Sequence, residues 1–305
     1  MNEAIKTIAV AILLGLFLPG EASAVEITPT RTVTYKKIKD VALKLHVFDP
    51  VNHKADAKVP AIVFFFGGGW NGGTASQFYE QADFFAKRGL VAISADYRVK
   101  SRNGTTPFQA VEDAKSAIRW LRQHAAELGI DPNRIVASGG SAGGHIAACT
   151  GVIVGLDGDG EDVSISSVPN AMILFNPVLD TTENGYGSAR FDEQRKTDLS
   201  PCHHIRPGIV ATLLLHGTKD TTVPFENAER FAGLMTEAGN RCDLKPFEGQ
   251  GHGFFNGAFF RPKTKDTTPY NQCMKDSVAF LVSLGYLESV ASAEHYDESA
   301  QPAIR

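Results

Sequence analysis

Two stretches near the start of the chain alternate apolar and polar residues, "TVTYKKI" and "ALKLHVFDP", on either side of Lys39-Asp40. A period of two puts every second side chain on one face, so the pair predicts an antiparallel unit at a sheet edge. The pattern then changes. "VPAIVFFF", "GLVAISADY", "NRIVASGG", "NAMILFNPV", "ATLLLHG" and "CDLKPFEG" are short, almost wholly apolar runs, as expected of strands covered on both faces of a parallel sheet. Helical periodicity fills the gaps, at Ser76 to Arg88, Pro107 to Leu128, Ala142 to Gly155, Pro224 to Ala238 and Tyr270 to Leu284. The second of these is the best marked: Thr106 as cap, Pro107 at the first helical position and Gln109 three residues after the cap form a capping box.

Strands alternating with helices predict an α/β domain: a mainly parallel central sheet with helices on both faces, extended by the antiparallel N-terminal pair. With neither an internal repeat nor a linker, one domain over residues 25–290 is the simplest division. Residues 291–305 carry no period and read as a disordered tail. Pro177 to Gly208 lacks an amphipathic pattern and is long for a connection, as lids and binding loops are.

Composition narrows the classes. The chain has 305 residues, 43% hydrophobic and 21% charged, which supports a packed core rather than disorder. A net charge of -4 without long runs of one sign gives no pull toward nucleic acid. Residues 1–24 place Lys6 before an apolar run from Ile8 to Leu18, then Pro19-Gly20 and an Ala22-Ser23-Ala24 triplet. That is the pattern of a secretory signal peptide. Its apolar run is about half the roughly 20 residues that span a bilayer, so export to the periplasm or beyond is expected, without stable membrane insertion after cleavage. Export permits disulfides, but Cys149, Cys202, Cys242 and Cys273 are widely spaced, and free buried thiols are as compatible with the sequence as any pairing.

Candidate chemistry starts at "IVASGGSAGGHIAA". Ser141 sits in Gly139-Gly140-Ser141-Ala142-Gly143, where a predicted strand becomes a helix. A serine on such a sharp turn needs glycine neighbours, and the turn projects its hydroxyl out of the sheet. A serine hydroxyl is a poor nucleophile alone and needs a base with an orienting acid. Asp220 follows "ATLLLHG" and His252 lies between glycines after "CDLKPFEG", both in loops at strand ends. Asp131, Asp180 and His216 occupy comparable positions; His216 belongs to its strand end, which favours His252. No metal site is expected, because "DGDGED" at Asp157 to Asp162 lacks the spacing of a calcium loop. His203-His204 have no carboxylate or cysteine at ligand spacing, and Trp70 and "GFFNGAFF" read as packing beside the loops.

From Thr32 to Leu287 the chain resembles the α/β-hydrolase superfamily, in the esterase and lipase group similar to hormone-sensitive lipase and to bacterial acetyl and feruloyl carbohydrate esterases. "FFGGGW", "ADYR", "GGSAGG", "HGTKDTTVP" and "GQGHGF" carry the resemblance, in family order. It implies that Ser141 is the nucleophile, His252 the general base and then acid, and Asp220 the residue orienting the imidazole. It implies an oxyanion hole from the N–H groups of Gly68, Gly69 and Ala142. Phe66 stands where the family usually has a histidine that holds the glycine loop, so apolar packing is expected to hold it here. Arg98 of "ADYR" is expected in an internal ion pair.

The implied activity is that of a serine carboxylesterase acting on short-chain or carbohydrate-linked acetyl or feruloyl esters through an acyl-enzyme, with no cofactor. Its partner is then a small-molecule or glycan ester; the oligomeric state stays open. A serine peptidase of the same superfamily and a noncatalytic binding protein are the alternatives. The former usually carries an N-terminal substrate-selecting domain. The polar loop from Pro177 to Gly208 does not suggest a lid for long acyl chains.

Overall fold

A computed structural model describes residues 26–263 and 265–288. The signal peptide expected at 1–24 and the tail at 291–305 lie outside the described residues. Every predicted strand forms: β1 (Arg31–Ile38), β2 (Val41–Phe48), β3 (Val59–Phe65), β4 (Val91–Ala95), β5 (Ile130–Gly140), β6 (Ala171–Phe175), β7 (Thr212–Gly217) and β8 (Cys242–Phe247). They make one eight-stranded sheet in the order β1-β2-β4-β3-β5-β6-β7-β8. β1 and β2 pair antiparallel, β2 also runs antiparallel to β4, and all other neighbours are parallel.

The helices are α1 (Tyr79–Ala86), α2 (Lys100–Asn103), α3 (Pro107–Gln123), α4 (Ala125–Leu128), α5 (Ala142–Val152), α6 (Phe225–Glu237) and α7 (Thr268–Ser283). Two differ from expectation. The predicted helix from Pro107 to Leu128 is broken at His124, whose φ of -100° and ψ of 19° leave the helical region, and the one-turn α2 has no apolar period to announce it. At the start of α3, Gln109 Oε1 accepts from the Thr106 N–H at 2.9 Å and from its hydroxyl at 2.7 Å.

The crossover from β3 through α1 to β4 runs one way along the sheet, and that from β4 through α3 to β5 runs the other. Because parallel crossovers are right-handed, α1 and α3 fall on opposite faces. The reversal leaves a crevice at the carboxyl ends of β3 and β5, where open α/β sheets bind ligands. Register lines those ends up: Phe65 of β3 pairs with Gly139 of β5 and Ala95 of β4. The glycine loop and Ser141 therefore emerge side by side.

Under the crevice lies an aromatic layer, in which Phe78 stacks on Phe64 at 5.1 Å and on Phe255 at 5.7 Å, and Phe255 on Phe175 at 5.4 Å between ring centroids. Arg98 makes the expected internal ion pair, with Asp113 Oδ2 at 2.7 Å and Glu112 Oε2 at 2.8 Å. Asp157 and Glu161 of "DGDGED" bind Arg119 of α3 rather than standing open. All four cysteines are free, and Cys149, Cys202 and Cys273 are buried. Among the described residues, no helix is long and apolar enough to cross a membrane.

Asp113 is fully buried, and it also accepts from the Arg98 backbone N–H at 3.0 Å and lies 3.0 Å from Lys36 Nζ. Asp113→Ala leaves these cations short of their partner. It should cost about 3 to 5 kcal/mol, read as a lower urea midpoint, since breaking a buried pair strands the opposite charge.

Candidate active site

The β5–α5 turn is strained at Ser141, whose φ is 57° and ψ -123°. The surrounding hydrogen bonds impose this geometry: the Ser141 N–H donates to Phe175 O at 3.0 Å, and its carbonyl accepts from the His145 N–H at 2.9 Å. No side chain fits around it. A Cβ on Gly143 would collide with the Phe65 carbonyl oxygen, and one on Gly139 would come within 2.6 Å of that same atom.

Ser141 Oγ lies 2.9 Å from His252 Nε2, and His252 Nδ1 lies 2.7 Å from Asp220 Oδ2. A carboxylate only accepts, so Nδ1 carries the proton, and in the neutral ring Nε2 is left to accept from the serine hydroxyl. Asp220 Oδ1 also accepts the N–H groups of Thr222 at 2.8 Å and Val223 at 2.9 Å. Burial alone would raise its carboxyl, but hydrogen bonds from His216, His252 and Val223 outweigh this and hold it well below the usual carboxylate range. His216 is fully buried behind Asp220, with Nε2 3.0 Å from Val223 O and 3.4 Å from Asp220 Oδ2. Its place is support of the acid. Asp180 binds Arg230 and Asp131 binds Arg134, so neither approaches His252.

The glycine loop leaves β3 at Phe66. As expected, apolar packing holds it: the Phe66 ring stacks on Tyr97 at 4.1 Å, and the Tyr97 hydroxyl donates to Phe66 O at 2.6 Å. The Gly67 N–H is taken by Gln77 Oε1 at 2.7 Å. Those of Gly68, Gly69 and Ala142 have no acceptor among the described residues. Gly68 and Gly69 adopt φ of 126° and 60°, and Ala142 opens α5, whose N-terminal dipole faces the same space.

Several supporting residues carry no pattern of their own. Trp70 Nε1 donates to His145 Nδ1 at 3.1 Å, and His145 Nε2 to Leu199 O at 2.7 Å, which ties the glycine loop, α5 and the 177–208 loop together. Burial pushes His145 down to about 4, so it is the neutral tautomer this bridge requires. Gln77 Nε2 donates to Asn256 Oδ1 at 3.0 Å and Gln81 Nε2 to Phe255 O at 3.1 Å, which fixes the loop carrying His252. The Asn176 amide nitrogen lies 3.0 and 3.2 Å from the two His252 ring nitrogens. Only a positional signal existed: His145 is one helical turn after Ser141, and Asn176 precedes a proline at a strand end. The 177–208 loop reaches the site through Tyr186 and Arg190, lining a cavity of about 360 Å³ with Ser141 and His252. Among the described residues no group of three potential ligands could hold a metal ion.

Two outcomes follow from this geometry. Tyr97→Phe leaves the buried Phe66 carbonyl without its partner and should cost about 1 to 3 kcal/mol in chemical denaturation. Asp220 is held below its unfolded value, so its ionised form adds stability that is fully present above about pH 4 and is lost as pH falls toward the folded value. Asp220→Asn should therefore unfold at lower urea than the native chain at neutral pH, and the gap should close below about pH 4.

Comparison with known proteins agrees with this architecture. Thermogutta terrifontis esterase 2, in a structure phosphorylated by paraoxon, superposes with a TM-score of 0.81 at 48% identity, covering 87% of this chain and 97% of that one. Another structure of that esterase, with propionate bound, gives 0.80 at 48% identity over 87% and 97% of the two chains. Carboxylesterase NlhH of Mycobacterium tuberculosis is 28% identical over 259 residues, 78% of each chain. An acetylxylan esterase of Xylanibacter ruminicola is 26% identical over 217 residues, 66% of this chain and 42% of that one. The chain spans about half the length of the curated relatives it first matches. The BD-FAE family model matches residues 45–235, and the chain, with its α/β-hydrolase fold, belongs to the BD-FAE family.

Proposed function

We propose that the protein is a serine carboxylesterase working through an acyl-enzyme. The observation that carries this reading is the continuous chain from Ser141 Oγ through His252 to Asp220, at 2.9 and 2.7 Å, opening onto three unengaged N–H groups. In the reaction, His252 Nε2 takes the serine proton as Oγ attacks the ester carbonyl. The carbonyl oxygen becomes an anion received by the N–H groups of Gly68, Gly69 and Ala142, each such donor being worth about 3 kcal/mol of barrier. Imidazolium then gives its proton to the leaving alcohol, and a water activated by His252 releases the acid. Asp220, its carboxyl held well below the usual carboxylate range, stabilises the imidazolium without taking its proton.

Short acyl groups suit a cavity of about 360 Å³. Propionate in one relative and acetylated xylan in the name of another support short-chain or carbohydrate-linked acetyl esters, with feruloyl esters as the neighbouring class. Phosphorylation of a relative by an organophosphate supports a nucleophilic centre. Export, to the periplasm or beyond, rests on residues 1–24 alone; the mature N-terminus read from secreted material should follow Ala24.

The test is hydrolysis of 4-nitrophenyl esters from acetate to long chains. Acetate to butyrate should be the best substrates, and Ser141→Ala should lower kcat/KM at least about a thousandfold. A folded native protein inactive on every ester would sink the reading.

A further inference from the structure

Arginines in a folded protein normally find acceptors, and nearly all of those described here do. Arg31, Arg98, Arg119, Arg134, Arg195, Arg230 and Arg241 donate to carboxylates. Arg88, Arg102, Arg122 and Arg206 donate to backbone carbonyls. Among the described residues only the guanidiniums of Arg190 and Arg261 have neither, and both line the cavity that holds Ser141 and His252. No aspartate or glutamate lines that cavity. In a chain of net charge -4, the cavity lining thus carries two cations and no anion, with Asp220 engaged behind His252.

Their placement is specific. A methyl group on Gly69 would lie 3.4 Å from Arg190 Nη2 and 3.2 Å from the Tyr186 hydroxyl, so Arg190 stands over the glycine loop. A Cβ on Gly253 would collide with the Arg261 guanidinium, which therefore lies directly on the backbone of the residue after His252. Arg261 thus borders His252, the residue that hands its proton to the leaving alcohol. Tyr186 and Arg190 also line an adjoining cavity of about 580 Å³ with Lys100 and Trp70, again without an acidic residue. An ester held at Ser141 thus meets cations but no carboxylate in the lining of either cavity.

We propose that the ester turned over here carries a carboxylate on its alcohol portion, received by Arg190 and Arg261. This rests on the esterase reading and adds a substrate class to it. A planar guanidinium matches a carboxylate through two parallel N–H donors, and a charged acceptor strengthens both bonds. Neutral esters fit the same cavity but leave both guanidiniums facing water.

The experiment compares two acetates of equal size, 4-acetoxybenzoate and 4-acetoxybenzamide, which differ in the charge of the alcohol portion. Native enzyme should prefer the benzoate in kcat/KM by about tenfold at low salt, and the preference should shrink toward 1 M salt, where screening acts within about 3 Å. Arg190→Gln and Arg261→Gln should each lower the benzoate-to-benzamide ratio by about fivefold; both positions are exposed, so these variants should fold. Equal use of the two esters, or a ratio indifferent to both substitutions, overturns the proposal and leaves the esterase reading standing. Binding is read apart from turnover by calorimetry on Ser141→Ala, which should bind 4-hydroxybenzoate about tenfold more tightly than 4-hydroxybenzamide. Equal binding overturns the carboxylate site; preferential binding without turnover of either ester retains the site and overturns the esterase reading.

Discussion

The start of α5 and the end of β3 approach so closely that Gly143 lies against the Phe65 carbonyl with no room for a side chain. Much else depends on this contact. It lets the helix begin immediately after the strand, which forces Ser141 into its left-handed conformation and leaves the Ala142 N–H facing the crevice. It also brings the helix start beside the glycine loop, so donors from two separate segments converge on one volume. Strain of this kind costs on the order of 1 to 3 kcal/mol and persists because the surrounding sheet over-determines it. Here the determining bonds come from Phe175 and His145 on either side of the serine.

Support of the site is layered outward. Asp220 is braced by His216 and two backbone N–H groups, the His252 loop by Gln77, Gln81 and the ring stack through Phe255, and the glycine loop by Tyr97 and by the Trp70–His145 bridge. Phe66 shows how one contact can stand in for another. A ring stacked on Tyr97 fixes the loop by dispersion and shape, while the hydroxyl of the same tyrosine donates a hydrogen bond to the Phe66 carbonyl.

The sheet was legible because strands covered on both faces are almost wholly apolar, and the edge pair because alternation marks a strand wet on one side. Ser141, Asp220 and His252 were legible because each follows an apolar run within a few residues, where loops gather at one rim of a parallel sheet. Less was visible where a residue acts through a partner distant in sequence. Gln77 and Asn256 are 179 residues apart, and Trp70 and His145 are 75 apart. Their types are ordinary and nothing local distinguishes them. The break at His124 escaped for the reverse reason, since the apolar period runs through it while the backbone does not. Arg190 and Arg261 lie in segments without period, and their interest arises only from acceptors they lack.

The free thiols have one further consequence. Burial pushes Cys202 and Cys242 up to about 12 and raises Cys149 and Cys273 as well, so almost no thiolate exists at neutral pH. Sulfur in this state neither cross-links readily nor reacts with alkylating reagents. The folded structure therefore holds no cross-link whose reduction would loosen it, and its thiols are poor nucleophiles where they stand.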